Sequence, residues 1–547
     1  MSKTVIEHVL SRLQDVGIRD VFGVAGDFAF PIDDAVVNSK AVRWVGSSNE
    51  LNAAYAADGY ARIHGTAALC TTYGVGELSA INGIAGAYAE KLPIFHLVGM
   101  PASRTQAGRR PVHHTLGNGE FELFYKMAEP VVCAKTIMTP ENCAEETERL
   151  IAAALYHRQP VYMAFPTDYA IAPVIGSAQP RPEPKSDPGA LAAACSAILA
   201  ALSKAETACV LPGYLLSRVG LNAQARDLIT TSNLPFATML WDKSVLDETI
   251  PQYVGMYDGA LMNEDVRAFV EGRDLVIGIG AMLTDFNSGS FTAKIERSKS
   301  ISIQHHSVRV GEALFNSVEM KDVLVELVKR IERKSIMNAP KPQGLGRPVG
   351  KPGDPITVDY LYARWESMLK EGDVLVTETG TSSMGLAFAK MPKGSTFHNE
   401  TLWGSIGWAT PAAFGAALAS PGKRLILITG DGSHQLTAQE VGQFHRFGLK
   451  PIIFVLNNDG YLIERLLCKD PESSYNDVAR WHYHKLPEAL GCDGWMTTRV
   501  TTCGELDEAI RSAESCGTGV YVEVVTDKYA ASPLAQKLHE SLATLYA

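Results

Sequence analysis

Two hydrophobic rhythms alternate along this chain. Val5, Ile6, Val9, Leu10, Leu13 and Val16 recur at helical spacing, and Gly17 ends the run. Short, branched apolar runs bounded by Gly, Pro, Asn or Asp read instead as buried strands. They are expected at Val21–Val24, Ala68–Thr72, Pro93–Val98 and Val161–Phe165, then at Ala208–Leu211, Leu275–Ile279 and Ile301–Ile303. A third group is expected at Val374–Thr377, Leu425–Thr429, Ile452–Leu456 and Val520–Val525. Strands separated by helical stretches imply parallel sheets covered on both faces. The fold class is therefore α/β, with three doubly wound parallel-sheet domains.

Two Pro/Gly-rich stretches, Pro173–Gly189 and Ser335–Pro355, read as linkers. They divide the 547 residues into expected domains at 1–175, 190–335 and 356–547. A net charge of −10 with no basic tract argues against a nucleic-acid partner. No apolar stretch approaches the roughly 18 residues that span a membrane, and no signal-peptide pattern opens the chain. Nine scattered Cys without a CxxC read as thiols of a reducing compartment, so a cytoplasmic location is expected.

The strands of the third segment carry the most informative chemistry. The run Leu425–Thr429 ends in Gly430-Asp431-Gly432-Ser433, and the run Ile452–Leu456 ends in Asn457-Asn458-Asp459-Gly460. Ligands of parallel α/β sheets bind beyond the carboxyl ends of the strands. Asp431, Asn458 and a backbone carbonyl are then a hard, incomplete oxygen set of the kind Mg²⁺ completes with water and phosphate. A lone Gly-Asp-Gly is usually an ordinary turn; the pairing of the two motifs is what raises its weight.

Gly-Asp-Gly, 24 intervening residues and Asn-Asn resemble the thiamine diphosphate (ThDP) fold motif. The resemblance covers essentially the whole chain. It is nearest to the ThDP-dependent 2-keto acid decarboxylases of pyruvate, indolepyruvate, phenylpyruvate and branched-chain type. It implies pyrimidine-binding, middle and diphosphate-binding domains in that order, with Asp431, Asn458 and the Gly460 carbonyl holding Mg²⁺ against the diphosphate. Glu50, opening the Ala-rich stretch Glu50–Arg62, corresponds to the carboxylate that activates the cofactor's pyrimidine ring. By position alone Glu50 is an ordinary first-turn acid.

The same resemblance assigns acid/base work to Asp27, His113, His114 and Glu464. Spacing alone does not separate His113-His114 from the second pair, His305-His306; the motif His-His-Thr-Leu-Gly selects the first. Further cofactor contacts implied are Thr381, Gly404, Ile406, Gly432, Ser433 and Tyr461. Gly404 would offer its carbonyl to the pyrimidine amino group, and Ile406 would be the apolar wedge that bends the cofactor. The implied reaction is non-oxidative decarboxylation of a small 2-keto acid to an aldehyde and CO₂. The implied assembly is a homodimer or homotetramer whose active sites lie at the subunit interface.

Departures bear on the substrate. Ala25 replaces the family's Pro before Gly26-Asp27. Thr379 is similar to the pyruvate-type enzymes, whereas Ser383 stands where bulkier residues trim the pocket in other members. With Phe286 and Ile463 as further lining, the expectation is a wide pocket for branched-chain or aromatic 2-keto acids. The alternatives are a pyruvate decarboxylase or a carboligase of acetolactate synthase type. Gly278-Ile279-Gly280 lacks the third Gly of a dinucleotide fingerprint, no GxSxG occurs, and His482-Tyr483-His484 has no zinc-type neighbours.

Overall fold

A computed structural model describes residues 3–336 and 338–540. Met337, inside the second expected linker, and residues 541–547, at the end of the third expected domain, lie outside the described residues.

Three sheets follow one another along the chain. The first holds β1 (Asp20–Gly23), β2 (Arg43–Gly46), β3 (Ala67–Thr71), β4 (Ile94–Met100), β5 (Ala134–Ile137) and β6 (Val161–Pro166). Its order is β2-β1-β3-β4-β6-β5, parallel throughout. The second holds β7 (Ala208–Pro212), β8 (Phe236–Thr238), β9 (Tyr253–Met256), β10 (Leu275–Ile279), β11 (Ser300–Gln304), β12 (Ser307–Val310) and β13 (Ala313–Asn316). Its order is β13-β12-β11-β10-β7-β8-β9. The third holds β14 (Val374–Thr377), β15 (Thr396–His398), β16 (Leu425–Gly430), β17 (Ile452–Asn457), β18 (Met496–Val500) and β19 (Val520–Val525). It runs β15-β14-β16-β17-β19-β18, again parallel throughout.

The first and third sheets therefore share one winding. In each, the chain steps outward from its first strand, then reverses and builds the other way. That reversal opens a crevice at the carboxyl ends of β1 and β3 in one sheet and of β14 and β16 in the other. The central strands are buried on both faces, as continuous apolar runs require. The second sheet departs from the all-parallel expectation. β11, β12 and β13 form an antiparallel meander because His305-His306 and Gly311-Glu312 are too short for a crossover helix.

By contacts the chain forms two compact units. One comprises Met1–Glu183, Thr410–Gly422 and Thr437–Leu449, and the other the remaining segments. In the first unit the helix Glu50–His64 is capped by Asn49, whose side chain accepts a hydrogen bond from Asn52 N. Its Ala-rich sequence has a steric cause. A Cβ at Gly59 would lie 2.0 Å from Ala412 O, and one at Gly415 would lie 1.8 Å from Ala56 O. The two backbones cross in contact, and only small residues permit it. Asn52 donates to the buried Glu440 at 2.8 Å, and Arg62 pairs with Asp58 (2.7 Å) and Glu90 (3.2 Å). These contacts fix the helix that carries Glu50.

Among the described residues no helix is long and apolar enough to cross a membrane. All nine cysteines are free thiols.

Candidate active site

The first unit gathers four of the expected residues around its crevice. Asp27 opens the short turn after β1. His113 Nε2 lies 2.6 Å from Asp27 Oδ2, and His114 Nε2 lies 3.8 Å from Asp27 Oδ1. The Phe28 ring stacks on His113 at 4.9 Å between centroids, and the two imidazoles meet edge to face at 4.6 Å. A strand-end carboxylate and two ring nitrogens thus form one exposed cluster able to take and give protons. Glu50 is half-buried at the start of its helix. Its Oε1 lies 3.3 Å from where a Cβ on Gly76 would sit, which places it by the beginning of the helix Val75–Ala89.

The second unit holds the remaining candidates. Asp431 follows β16, and Asn458 and Gly460 follow β17; in the ladder Gly430 is paired with Leu456. Asp431 accepts hydrogen bonds from Gly432 N (2.8 Å, Oδ1) and Gly460 N (3.0 Å, Oδ2). Burial pushes its carboxyl up to about 6 even against those bonds. Asn458 Oδ1 faces Gly460 O at 2.9 Å and Asp431 Oδ1 at 3.2 Å. Hydrogen bonding alone would turn that amide over, so that its NH₂ met the two acceptors. A cation removes the conflict. Oxygens on adjacent corners of an octahedron with bonds of about 2.1 Å are separated by about 3 Å. The trio therefore fits a small, hard divalent ion.

The neighbours of this trio are also those expected. The Tyr461 ring packs over Gly432, where a Cβ would lie 2.5 Å from Tyr461 Cε1. Ser433 is buried. Thr379 Oγ1 donates to Glu400 O at 2.9 Å, and its Cγ2 is 3.9 Å from the position of a Cβ on Gly404. Thr381 is buried and its carbonyl accepts from Tyr362 Oη at 2.9 Å, while Ile406 is half-buried. Glu464 is exposed in the first turn of the helix Leu462–Leu467.

The substrate-lining candidates divide. Ser383 is buried, and its hydroxyl is satisfied by Gly380 O at 3.0 Å. Phe286 and Ile463 join one apolar cluster with Met384, Leu462, Leu466, Leu534 and Ala535. Phe286 also lines a cavity of about 250 Å³ with Leu240, Leu261, Met384, Leu534 and Leu538. Thr379, Ser383 and Ile463 do not line that cavity. The last two leucines come from the helix Pro533–Glu540, which sequence reading passed over. The signal was present as Leu534, Ala535 and Leu538 on one helical face.

Glu378 was also missed. It is fully buried beside Thr379, accepts from Thr429 Oγ1 at 3.1 Å, and burial raises it to about 7. In the unfolded chain it ionises near 4.5. Its neutral form therefore favours the fold below about pH 4.5, and that contribution is lost as pH climbs through about 7. The loss is about 3 kcal/mol. Glu378→Gln should gain stability relative to the parent chain between pH 4.5 and 7.5. Paired thermal midpoints that keep a constant difference across that range would refute this.

Asp27 and its two imidazoles lie beyond β1 in the first sheet, and the oxygen trio lies beyond β16 and β17 in the third, as the thiamine diphosphate resemblance implies. Family profiles agree. "Thiamine pyrophosphate enzyme, N-terminal TPP binding domain" matches residues 3–121, the central domain 195–329 and the C-terminal TPP binding domain 378–524. The alpha-keto-acid decarboxylase of Mycobacterium leprae (strain TN) is 38% identical over 531 residues, 96% of this chain and 93% of that one. Those of Mycobacterium ulcerans (strain Agy99) and Mycobacterium tuberculosis (strain ATCC 25618 / H37Rv) are 37% and 38% identical, over 98% and 99% of this chain and 96% and 97% of theirs. The chain belongs to the ThDP-dependent 2-keto acid decarboxylase family.

Proposed function

We propose that this enzyme decarboxylates branched-chain or aromatic 2-keto acids to the corresponding aldehydes, using ThDP and Mg²⁺. Bound ThDP supplies an acidic carbon that adds to the keto group and a cationic ring that takes up the electrons CO₂ leaves behind. Asp431, Asn458 and the Gly460 carbonyl would hold Mg²⁺, and Gly432, Ser433 and Tyr461 would serve the diphosphate. Thr381, Gly404 and Ile406 would contact the remainder of the cofactor. Glu50 would hold a proton for the pyrimidine ring.

The reaction consumes one proton for each CO₂ released, so an aldehyde product requires an acid at the site. The Asp27–His113–His114 cluster is the observation that carries this reading. Its carboxylate and two imidazoles, with the nearest nitrogen 2.6 Å from the carboxylate, can store and deliver that proton. Glu464 is the fourth group of the set. The assembly proposed is a homodimer or homotetramer in which one subunit supplies Glu50 and the other supplies Asp431 and Glu464. Cytoplasmic location accords with nine free thiols.

The preference for larger acids rests on the small side chain of Ser383, at a position where bulkier residues trim the pocket in other members. Each methylene placed in such a pocket is worth about 1–3 kcal/mol. Aldehyde release would be measured with pyruvate, 2-ketoisovalerate, 4-methyl-2-oxopentanoate, phenylpyruvate and indolepyruvate. At least one larger acid should exceed pyruvate in kcat/KM by tenfold or more. Thr379 favours the second reading, a pyruvate decarboxylase, and pyruvate leading the panel would establish it. Cofactor binding without aldehyde release from any acid would point to a carboligase.

A further inference from the structure

We propose that His305, His306 and Glu319 bind a divalent transition-metal ion of the zinc class. The three residues each offer a ligand atom, and these atoms all lie within 4.8 Å of one another. His306 Nδ1 is 2.7 Å from Glu319 Oε2, and the two imidazoles stack at 3.9 Å with 30° between their planes. Two nitrogens and one carboxylate are a borderline-soft set, suited to Zn²⁺, Co²⁺ or Ni²⁺ rather than to Mg²⁺ or Ca²⁺. Tetrahedral zinc with bonds of about 2.0–2.2 Å places its ligands about 3.3 Å apart. The trio's ligand atoms bracket that separation, and coordination would turn the two stacked rings so that a nitrogen of each faces one ion.

The three residues meet where a two-residue turn abuts the start of a helix. His305-His306 is the two-residue turn between β11 and β12, where Gln304 pairs with Ser307. Such turns favour Gly, Asn or Asp, and neither histidine has a positive φ. Glu319 occupies the cap position of the helix Met320–Arg330, yet its side chain makes no capping bond and reaches His306 instead. The scaffold is fixed on both sides. Met320 N donates to His305 O (3.0 Å), and Glu319 N donates to Ser186 Oγ (2.8 Å), which itself donates to Asp322 (2.7 Å). The side chains of His306 and Glu319 are 21% and 13% exposed, so an ion can enter and keep a water as fourth ligand. The bound ion would clamp the antiparallel turn to the start of the helix. This is separate from the decarboxylation chemistry.

The test uses the full chain loaded with ThDP and excess Mg²⁺. Zn²⁺ is titrated by calorimetry, and Co²⁺ by the visible bands that report nitrogen ligation. One saturable site per chain is expected, weakened at least tenfold by His306→Asn and by Glu319→Gln. Turnover of the parent chain should persist in both variants. The site should survive His113→Asn, which removes a ligand from the other His/carboxylate trio among the described residues. His305→Gln, on the half-buried turn, serves as a third arm should either variant fail to fold. The proposal is overturned if no saturable site appears, if binding survives all three substitutions, or if only His113→Asn abolishes it.

Discussion

Glu50→Gln should fold and bind ThDP yet lose turnover by about 10²–10⁴-fold, the range expected when a positioned proton-transfer group is removed. The separation of folding from chemistry follows from the local structure. The helix Glu50–His64 is capped by Asn49, not by Glu50. It is seated by Asn52 on Glu440, by the Arg62–Asp58–Glu90 network and by the backbone crossing at Gly59 and Gly415. None of these contacts uses the Glu50 carboxylate. Gln keeps its size against Gly76 and loses the ability to hold and release a proton. Calorimetric ThDP affinity and steady-state aldehyde release on the same preparation would check both halves. Parent-like turnover would remove Glu50 from the proposed role, and lost affinity with lost structure would make it a packing residue.

The strands legible in the sequence were those that folding buries on both faces. β14, β16, β17 and β19 announce themselves as unbroken branched runs, and so do β3, β4 and β6. The missed strands are short or lie toward sheet edges. β15 has three residues, β18 alternates exposed and half-buried positions, and β13 is almost wholly exposed. Their identity comes from a neighbouring ladder rather than from their own hydrophobicity. The antiparallel meander was hidden for the same reason.

The candidate site was legible where chemistry sits in loops directly after strands, as with Asp27, Asp431 and Asn458. Residues whose surroundings come from distant segments were not. Glu378 was passed over because the burial beside Thr429 that raises its pKa comes from a neighbouring strand far along the chain. Leu534 and Leu538 were passed over because the cavity they line with Phe286 joins distant segments of the chain. Spacing does not separate the two His-His pairs; the motif around the first does. One closes on Asp27 and the other forms a hairpin turn against Glu319.

Asp431→Asn carries the second large effect, and its value lies in opposite movements of two observables. In the protein without cofactor, Asp431 is a desolvated carboxylate whose ionisation is resisted up to about pH 6. Its unfolded counterpart ionises near 3.8, so above pH 6 the fold bears the cost of that charge. Asn removes the cost, and the thermal midpoint of the apo-protein at pH 7.5 should not fall. With Mg²⁺ and ThDP the balance reverses. The carboxylate supplies the only formal charge in a trio whose other members are the Asn458 amide and the Gly460 carbonyl. Its loss should weaken cation binding, raise the ThDP concentration needed for half-maximal activity by at least a hundredfold, and abolish the midpoint rise that Mg²⁺ and ThDP give the parent chain. Chelation of the parent enzyme should reproduce the activity loss, and added Mg²⁺ should restore it. A variant that keeps parent-like ThDP affinity and a normal cofactor-induced midpoint rise would place the cation elsewhere. A variant destabilised equally with and without cofactor would make Asp431 a structural acid, because a ligand-binding role predicts a loss only when the ligand is present.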